Sequence, residues 1–370
     1  MNRKSNPFDR LNPMNRINNL GNLDRRQLLK LGSFVLGAGV LSACSANNEP
    51  APSSSDQSLD QDQQLDKIAL GLGWKAEAEY GGYYQAVATG IYAEYGLEVD
   101  VQETPPQANL TQMLMGGVID FSLGNAVSSI KALQEGIPKV TIASIFQKEI
   151  QVLLAHPGVG NDSFEALKGK PIFLSPAVNT TYWPLLKSKY GYDDSQQRPY
   201  NFNIGPFLID ENSVQQGLLT AEPFTIAQEA GFDPVILQLA EAGYNPYSFT
   251  IDTKRETIAQ KPDLVQRFVD ASIKGWYSYL ENPAPGNELI QKDNPEMSAE
   301  QIAYSIEKLK EYEVIKAGVA TKLGIGAMTD DRWQSLYNEL VEYGIVEAGL
   351  DYQEAYTLEF ANKGVAYYQS

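Results

Sequence analysis

From residue 65 onward, short apolar runs of two-residue period alternate with longer stretches of helical spacing. Residues 67–74 (KIALGLGW) put Ile68, Leu70 and Leu72 on one face and read as a strand. The pattern predicts a helix over 83–94 that stops at Gly96, and a strand over 97–102. A helix over 110–115, a strand over 119–123, a helix over 127–134 closed by Gly136 and a strand over 140–145 follow. Further strands are expected at 150–155, 171–174, 235–239 and 247–251, with a helix at 182–190. Beyond Pro262 the spacing is mostly helical, over 263–280, 299–312 and 331–343. Strands alternating with helices imply an α/β protein with parallel-type sheets covered on both faces.

The first 64 residues follow none of these periods. Arg25 and Arg26 precede a short apolar segment, 31–41, that ends in Leu41-Ser42-Ala43-Cys44. A basic region, a short apolar core and a small-residue cleavage site make an export signal, and the arginine pair fits the twin-arginine type. Asp24 and Leu28 stand where that type usually has Ser or Thr and often has Phe, so the general export route stays open. The Leu-Ser-Ala-Cys ending is similar to a bacterial lipobox, which implies lipidation at Cys44 after removal of residues 1–43. The apolar run is about half of the roughly 20 residues a bilayer-spanning helix needs. Residues 45–64 are rich in Ser, Pro, Gln and Asp, with Leu59 as their only large apolar side chain, and read as a flexible linker.

Charge and cysteine content narrow the function further. The 370-residue chain is formally −17, and residues 44–370 carry 22 basic against 44 acidic side chains, a net −22. Such a body repels nucleic acid and anionic lipid. Cys44 is the only cysteine, so an internal disulfide is impossible and no thiol remains for catalysis. No Gly-x-Ser-x-Gly elbow, phosphate-cradling glycine loop or His/Cys/Asp cluster with metal-ligand spacing occurs, so no catalytic residue, metal or cofactor is expected.

The segments 80–101 (YGGYYQAVATGIYAEYGLEVDV), 116–138, 165–175 (EALKGKPIFLS), 222–231 (EPFTIAQEAG), 243–253 and 261–283 resemble, in order and spacing, the solute-binding proteins of bacterial ABC importers. Within that group the chain resembles the nitrate, sulfonate, thiamine-pyrimidine-precursor and riboflavin type over about residues 65–349. The resemblance implies a type II periplasmic-binding-protein fold: two α/β lobes joined by two crossing segments, with the ligand in the cleft between them. The crossings are expected near 155–160 and 243–248. Lobe one is then 65–155 with 247–370, including the C-terminal helices, and lobe two is 156–246. The implied partners are a small-molecule ligand, a cognate permease and, through Cys44, a membrane, with the chain monomeric and lipid-anchored outside the cytoplasm.

Ligands of open α/β sheets bind beyond the carboxyl ends of strands, where helix N-termini offer free N–H groups. Trp74, Tyr80, Gly82, Tyr83 and Tyr84 follow the first strand; flat rings stack on a planar ligand and glycine admits it to the backbone. Asn125 stands between a strand and a helix, either as the cap of that helix or as a ligand donor. Ser175, Asn179, Thr180, Thr181 and Tyr182 cluster at the next strand-to-helix turn. Glu222 falls where the resemblance puts a second-lobe cleft loop, and Gln147 and Tyr247 lie near the crossings. His156, the only histidine, sits in a His-Pro-Gly turn and reads as a hinge or turn residue.

These segments are rich in aromatic, amide and carboxyl groups and poor in cations, with Lys75 the exception. A nitrate or sulfonate receptor needs compensating cations or many aimed donors. The composition therefore favours an uncharged planar heterocycle, a thiamine pyrimidine precursor or flavin-like ring, with the nitrate/sulfonate type as the alternative. Some relatives of this fold are thiamine-pyrimidine precursor synthases. The absent thiol, the lone histidine and the export signal argue against an enzyme here. Presentation of the ligand to a sensor stays open beside import.

Overall fold

The computed structural model describes residues 65–105 and 108–369. The expected export signal, Cys44 and the linker lie outside the described residues. Two five-stranded sheets organise the remainder. The first runs in the order β2-β1-β3-β10-β4, where β1 is Asp66–Gly71, β2 Leu97–Gln102, β3 Phe121–Asn125, β4 Lys139–Phe146 and β10 Ser248–Lys254. The second runs β7-β6-β8-β5-β9, with β5 Gln151–Ala155, β6 Ile172–Leu174, β7 Gln197–Pro199, β8 Val214–Leu218 and β9 Val235–Gln238.

Both sheets are mixed rather than wholly parallel. β1 is parallel to β2 and β3, but β10 enters antiparallel between β3 and β4. In the second sheet β6 is parallel to β7 and β8, and β5 is antiparallel to β8 and β9. β5 was expected in lobe one; its pairing with β8 and β9 assigns it to the second sheet, so the chain passes between sheets at 147–150, earlier than the sequence suggests. The physical reason is partner choice. Val152, Leu153, Leu154 and Ala155 are buried on both faces, so this apolar run carries no mark of which sheet it joins. The return passage lies between β9 and β10, through the short helix Leu239–Ala242.

The predicted helix 83–94 is two helices, Gly81–Ala88 and Ile91–Glu94, parted at Gly90, whose φ of 78° ends the first one. The helix Gly81–Ala88 lies tightly against the long C-terminal helix Pro262–Glu281. A Cβ on Gly82 would fall 2.2 Å from the Trp276 ring, and one on Gly275 would fall 2.3 Å from the carbonyl oxygen of Gly82. These glycines therefore set the distance between two helices. β7, β8 and the helix Ala284–Asp293 were not foreseen. The sequence of β8, VQQGL, has too little apolar character to announce a buried strand.

Beneath the first sheet's helices, Phe121, Phe268 and Tyr92 stack, the first two at 3.9 Å between centroids. A buried ion pair pins β10 to β4: Lys139 Nζ lies 3.1 Å from Asp252, with both side chains almost wholly enclosed. Thr141 and Thr250 donate to the other Asp252 oxygen and Ser128 accepts from Lys139, so both charges are hydrogen-bonded.

Candidate ligand-binding site

Between the ends of the two sheets lies a cavity of about 620 Å³. The turn after β1 supplies Trp74, Glu77, Glu79 and Tyr80. The second sheet supplies Gln151 and Gln216, and the helix Glu222–Ala230 supplies Glu222 at its first residue. The segment after β7 adds Tyr200 and Phe202, β10 adds Phe249, and the loop between the helices Ala284–Asp293 and Ala299–Glu311 adds Asn294 and Glu296.

Aromatic rings form much of the wall. Trp74, from the first sheet's side, packs on Phe202, from the second's, at 5.0 Å between centroids. Phe202 also meets Tyr200, and Phe249 meets Tyr80. Phe202 and Phe249 both have left-handed backbones, with φ of 57° and 47°. For bulky side chains this conformation is strained, and it recurs where a side chain must be aimed. At Phe249 the strain sits on a register shift between Ser248 and Thr250, a bulge that sets this ring against Phe146 at 4.1 Å and at the cavity wall.

Besides Glu296 at the rim, three carboxyl groups face the same space. Glu77 accepts from the Trp74 indole N–H at 3.1 Å. Glu222 accepts from the Tyr200 hydroxyl at 3.1 Å and from the Leu218 N–H at 2.7 Å. Glu79 is 1% exposed, and neither of its oxygens has a hydrogen bond of normal geometry among the described residues. Burial pushes the pKa of all three upward, most for Glu77, which Glu79 and Glu222 also repel. The Thr220 hydroxyl opposes part of the rise at Glu79. Lys75, at the rim, is paired with Glu296, which leaves Glu77, Glu79 and Glu222 without a bonded cation among the described residues.

Of the sequence candidates, Trp74, Tyr80 and Glu222 line this cavity. Asn125, Thr180 and Thr181 border a separate hollow of about 600 Å³. There Asn125 serves as helix cap, accepting from Ser128 N at 2.9 Å, and Thr180 and Thr181 bond to nearby carbonyls. The Ser175 N–H donates to Gln216, a cavity residue, whereas Asn179 is exposed and accepts from Gln197. Gly82, Tyr83 and Tyr84 are enclosed in packing, Gly82 against Trp276 and Tyr83 edge-on to the same ring. Gln147 is a buried strut that donates to the carbonyls of Ser144 and Ala327. Tyr182 packs on Tyr244; Tyr247 lies under the Arg332 guanidinium at 4.0 Å and accepts from Thr329 N. His156 is also buried, with Nε2 2.8 Å from the Phe207 carbonyl oxygen.

Glu77 and Glu79 escaped sequence reasoning although KAEAEY places them between Trp74 and Tyr80, both already candidates. Tyr200 and Phe202 carried a weaker signal, two aromatics flanked by Pro, Asn and Gly. Phe249 had none, because a bulge decides its direction.

The model of the family described as "NMT1/THI5 like" matches residues 77–285, more than half of the chain. The riboflavin-binding protein RibY of Chloroflexus aurantiacus is 24% identical over 353 residues, covering 91% of this chain and 99% of that protein. The formylaminopyrimidine-binding protein of Halalkalibacterium halodurans is 22% identical over 262 residues, 69% of this chain and 76% of the relative. Proteins named as 4-amino-5-hydroxymethyl-2-methylpyrimidine phosphate synthases share shorter stretches, such as 156 residues at 27% identity in Saccharomyces cerevisiae, 41% of this chain and 46% of the relative. Among solved structures, the periplasmic aliphatic sulphonate binding protein SsuA of Escherichia coli superposes with a TM-score of 0.59 at 13% identity, over 78% of this chain and 91% of that one. The two-sheet architecture is thus the periplasmic-binding-protein fold, and the chain belongs to the NMT1/THI5-like family.

Proposed function

We propose that this protein is the solute-binding component of an ABC importer and that it captures a planar nitrogen heterocycle of the aminopyrimidine or flavin class. The observation that carries the reading is the cavity between the two sheets, walled by Trp74, Tyr80, Phe202 and Phe249 and furnished with Glu77, Glu79 and Glu222. Aromatic faces take a flat ring, and the carboxyls take its N–H edge. Two relatives, matched over 353 and 262 residues, are named as riboflavin-binding and formylaminopyrimidine-binding proteins, which supports binding rather than catalysis. The scarcity of cations at the cavity speaks against nitrate or a sulfonate.

The two lobes of the clamp are the two sheets with their helices, hinged at 147–150 and 239–247, and ligand contacts to both sides favour closure. Outside the described residues, Cys44 is the lipid anchor and 45–64 the tether that hold this clamp near its permease, after export directed by residues 1–43. The test is to denature the purified protein, identify the released small molecule by mass spectrometry, and follow with a thermal-shift panel. The panel contains riboflavin, formylaminopyrimidine, hydroxymethylpyrimidine, nitrate, taurine and alkanesulfonates. Stabilisation by a heterocycle alone is expected; stabilisation by nitrate or a sulfonate alone overturns the ligand class.

A further inference from the structure

The reading of this cavity as the ligand site has a sharper consequence, which lies in its charge. Glu77 and Glu79 come from one turn beside β1 and Glu222 from the opposite side, so three carboxyls line one cavity. Glu79 is the unusual member: it is 1% exposed, faces the cavity, and neither oxygen is satisfied among the described residues. The buried Thr220 hydroxyl close to it also lacks a hydrogen bond of normal geometry. A buried carboxyl whose nearest donor, the Thr220 hydroxyl, falls short of normal hydrogen-bond geometry is costly, and two further carboxyls nearby raise the cost. Lys75 relieves it only in part: its charge favours the ionised form of Glu77, but its ammonium is bonded to Glu296 at the rim.

We propose that the cavity selects a planar organic cation, one that presents an amidinium-like fork of N–H donors, over a neutral ring of the same shape. Such a ligand supplies what the site lacks: positive charge between Glu77, Glu79 and Glu222, donors for both Glu79 oxygens, and a face for Trp74 and Tyr80. Forked N–H donors match carboxylates in pairs, and cations are attracted to aromatic faces. A single metal ion is the poorer fit, because among the described residues no three His, Cys, Asp or Glu side chains are placed to hold one. A protonated aminopyrimidine has the required edge; a neutral flavin does not.

The test uses calorimetric titration of the full chain at pH 7 with benzamidine and benzamide, which differ in charge but hardly in shape, and with riboflavin. Benzamidine is expected to bind at least tenfold more tightly than benzamide. Glu79→Gln should reduce that preference to threefold or less. Glu77→Gln serves the same purpose if the first variant fails to fold, as judged by its circular-dichroism melt. Equal binding of the two probes, tighter binding of benzamide, a preference unmoved by both variants, or no binding of benzamidine at millimolar concentration overturns the proposal. If riboflavin binds in any of those cases, the heterocycle reading stands and only the cation preference falls; if riboflavin and hydroxymethylpyrimidine also fail to bind, both fall.

Discussion

Trp74 joins the two walls of the cavity. Its ring closes on Phe202 from the opposite sheet while its N–H fixes Glu77. Trp74→Ala is expected to weaken ligand binding by more than tenfold, about 1.4 kcal/mol. The measurement is a titration with the co-purified ligand, and unchanged affinity would remove Trp74 from the site. The carboxyls make a second residue-scale prediction. Burial raises the pKa of Glu77, Glu79 and Glu222, so these groups stay protonated in the folded chain at a pH where the unfolded chain has released its protons. Their stabilising contribution is therefore complete below the ordinary carboxyl range and is lost as pH rises through the raised values. The melting temperature of the ligand-free protein should fall as pH rises beyond the ordinary carboxyl range, and Glu79→Gln should flatten that fall. A melting temperature that rises over the same range would contradict the burial of these groups.

At the level of elements, glycine and charge perform tasks that side-chain lists do not reveal. The helices Gly81–Ala88 and Pro262–Glu281 approach so closely that a methyl at position 82 meets the Trp276 ring. Gly82→Ala must push one helix away, and overpacking of this kind costs about 3 kcal/mol. Chemical denaturation measures it; a loss below 0.5 kcal/mol would mean that the helices separate freely. Lys139 and Asp252 tie β4 to the antiparallel β10. Removing one member strands the other in the core, so Asp252→Ala should cost about 4 kcal/mol, whereas an exposed pair such as Lys67–Glu98 contributes under about 1 kcal/mol.

For the whole molecule, function is a matter of two sheets and what passes between them. β4 ends at Phe146 and β5 starts at Gln151, so a four-residue passage separates the last strand of one sheet from a strand of the other. The C-terminal helices add a further link: Ser305 donates to the Thr220 carbonyl at 2.7 Å and Asn294 to the Ala76 carbonyl at 2.9 Å. One helical hairpin thereby touches both walls of the cavity. Ligand binding should shrink the radius of gyration in small-angle scattering and quench tryptophan fluorescence through Trp74; a saturating ligand that changes neither would argue against closure.

The sequence by itself determined the alternation of strands and helices, the acidic surface and the aromatic-glycine turn after β1, because each depends on residues near one another along the chain. Asn125 was legible as a residue between strand and helix, either cap or ligand donor, and the structure makes it the cap. Trp74 and Tyr80 were legible as cavity-lining residues for the same local reason, and Glu222 through the family resemblance. What only the tertiary structure decided is everything that requires two distant segments to meet. The apolar run of β5 fits either sheet, and only its pairing chose. Tyr83, Tyr182 and Tyr247 carry the same ring as Tyr80, yet the packing of neighbouring helices encloses the first three and leaves the fourth at the cavity. Glu79 looks like any surface carboxylate in KAEAEY; its burial opposite Glu222, which turns it into a group that calls for a partner, exists only once the two sheets face each other.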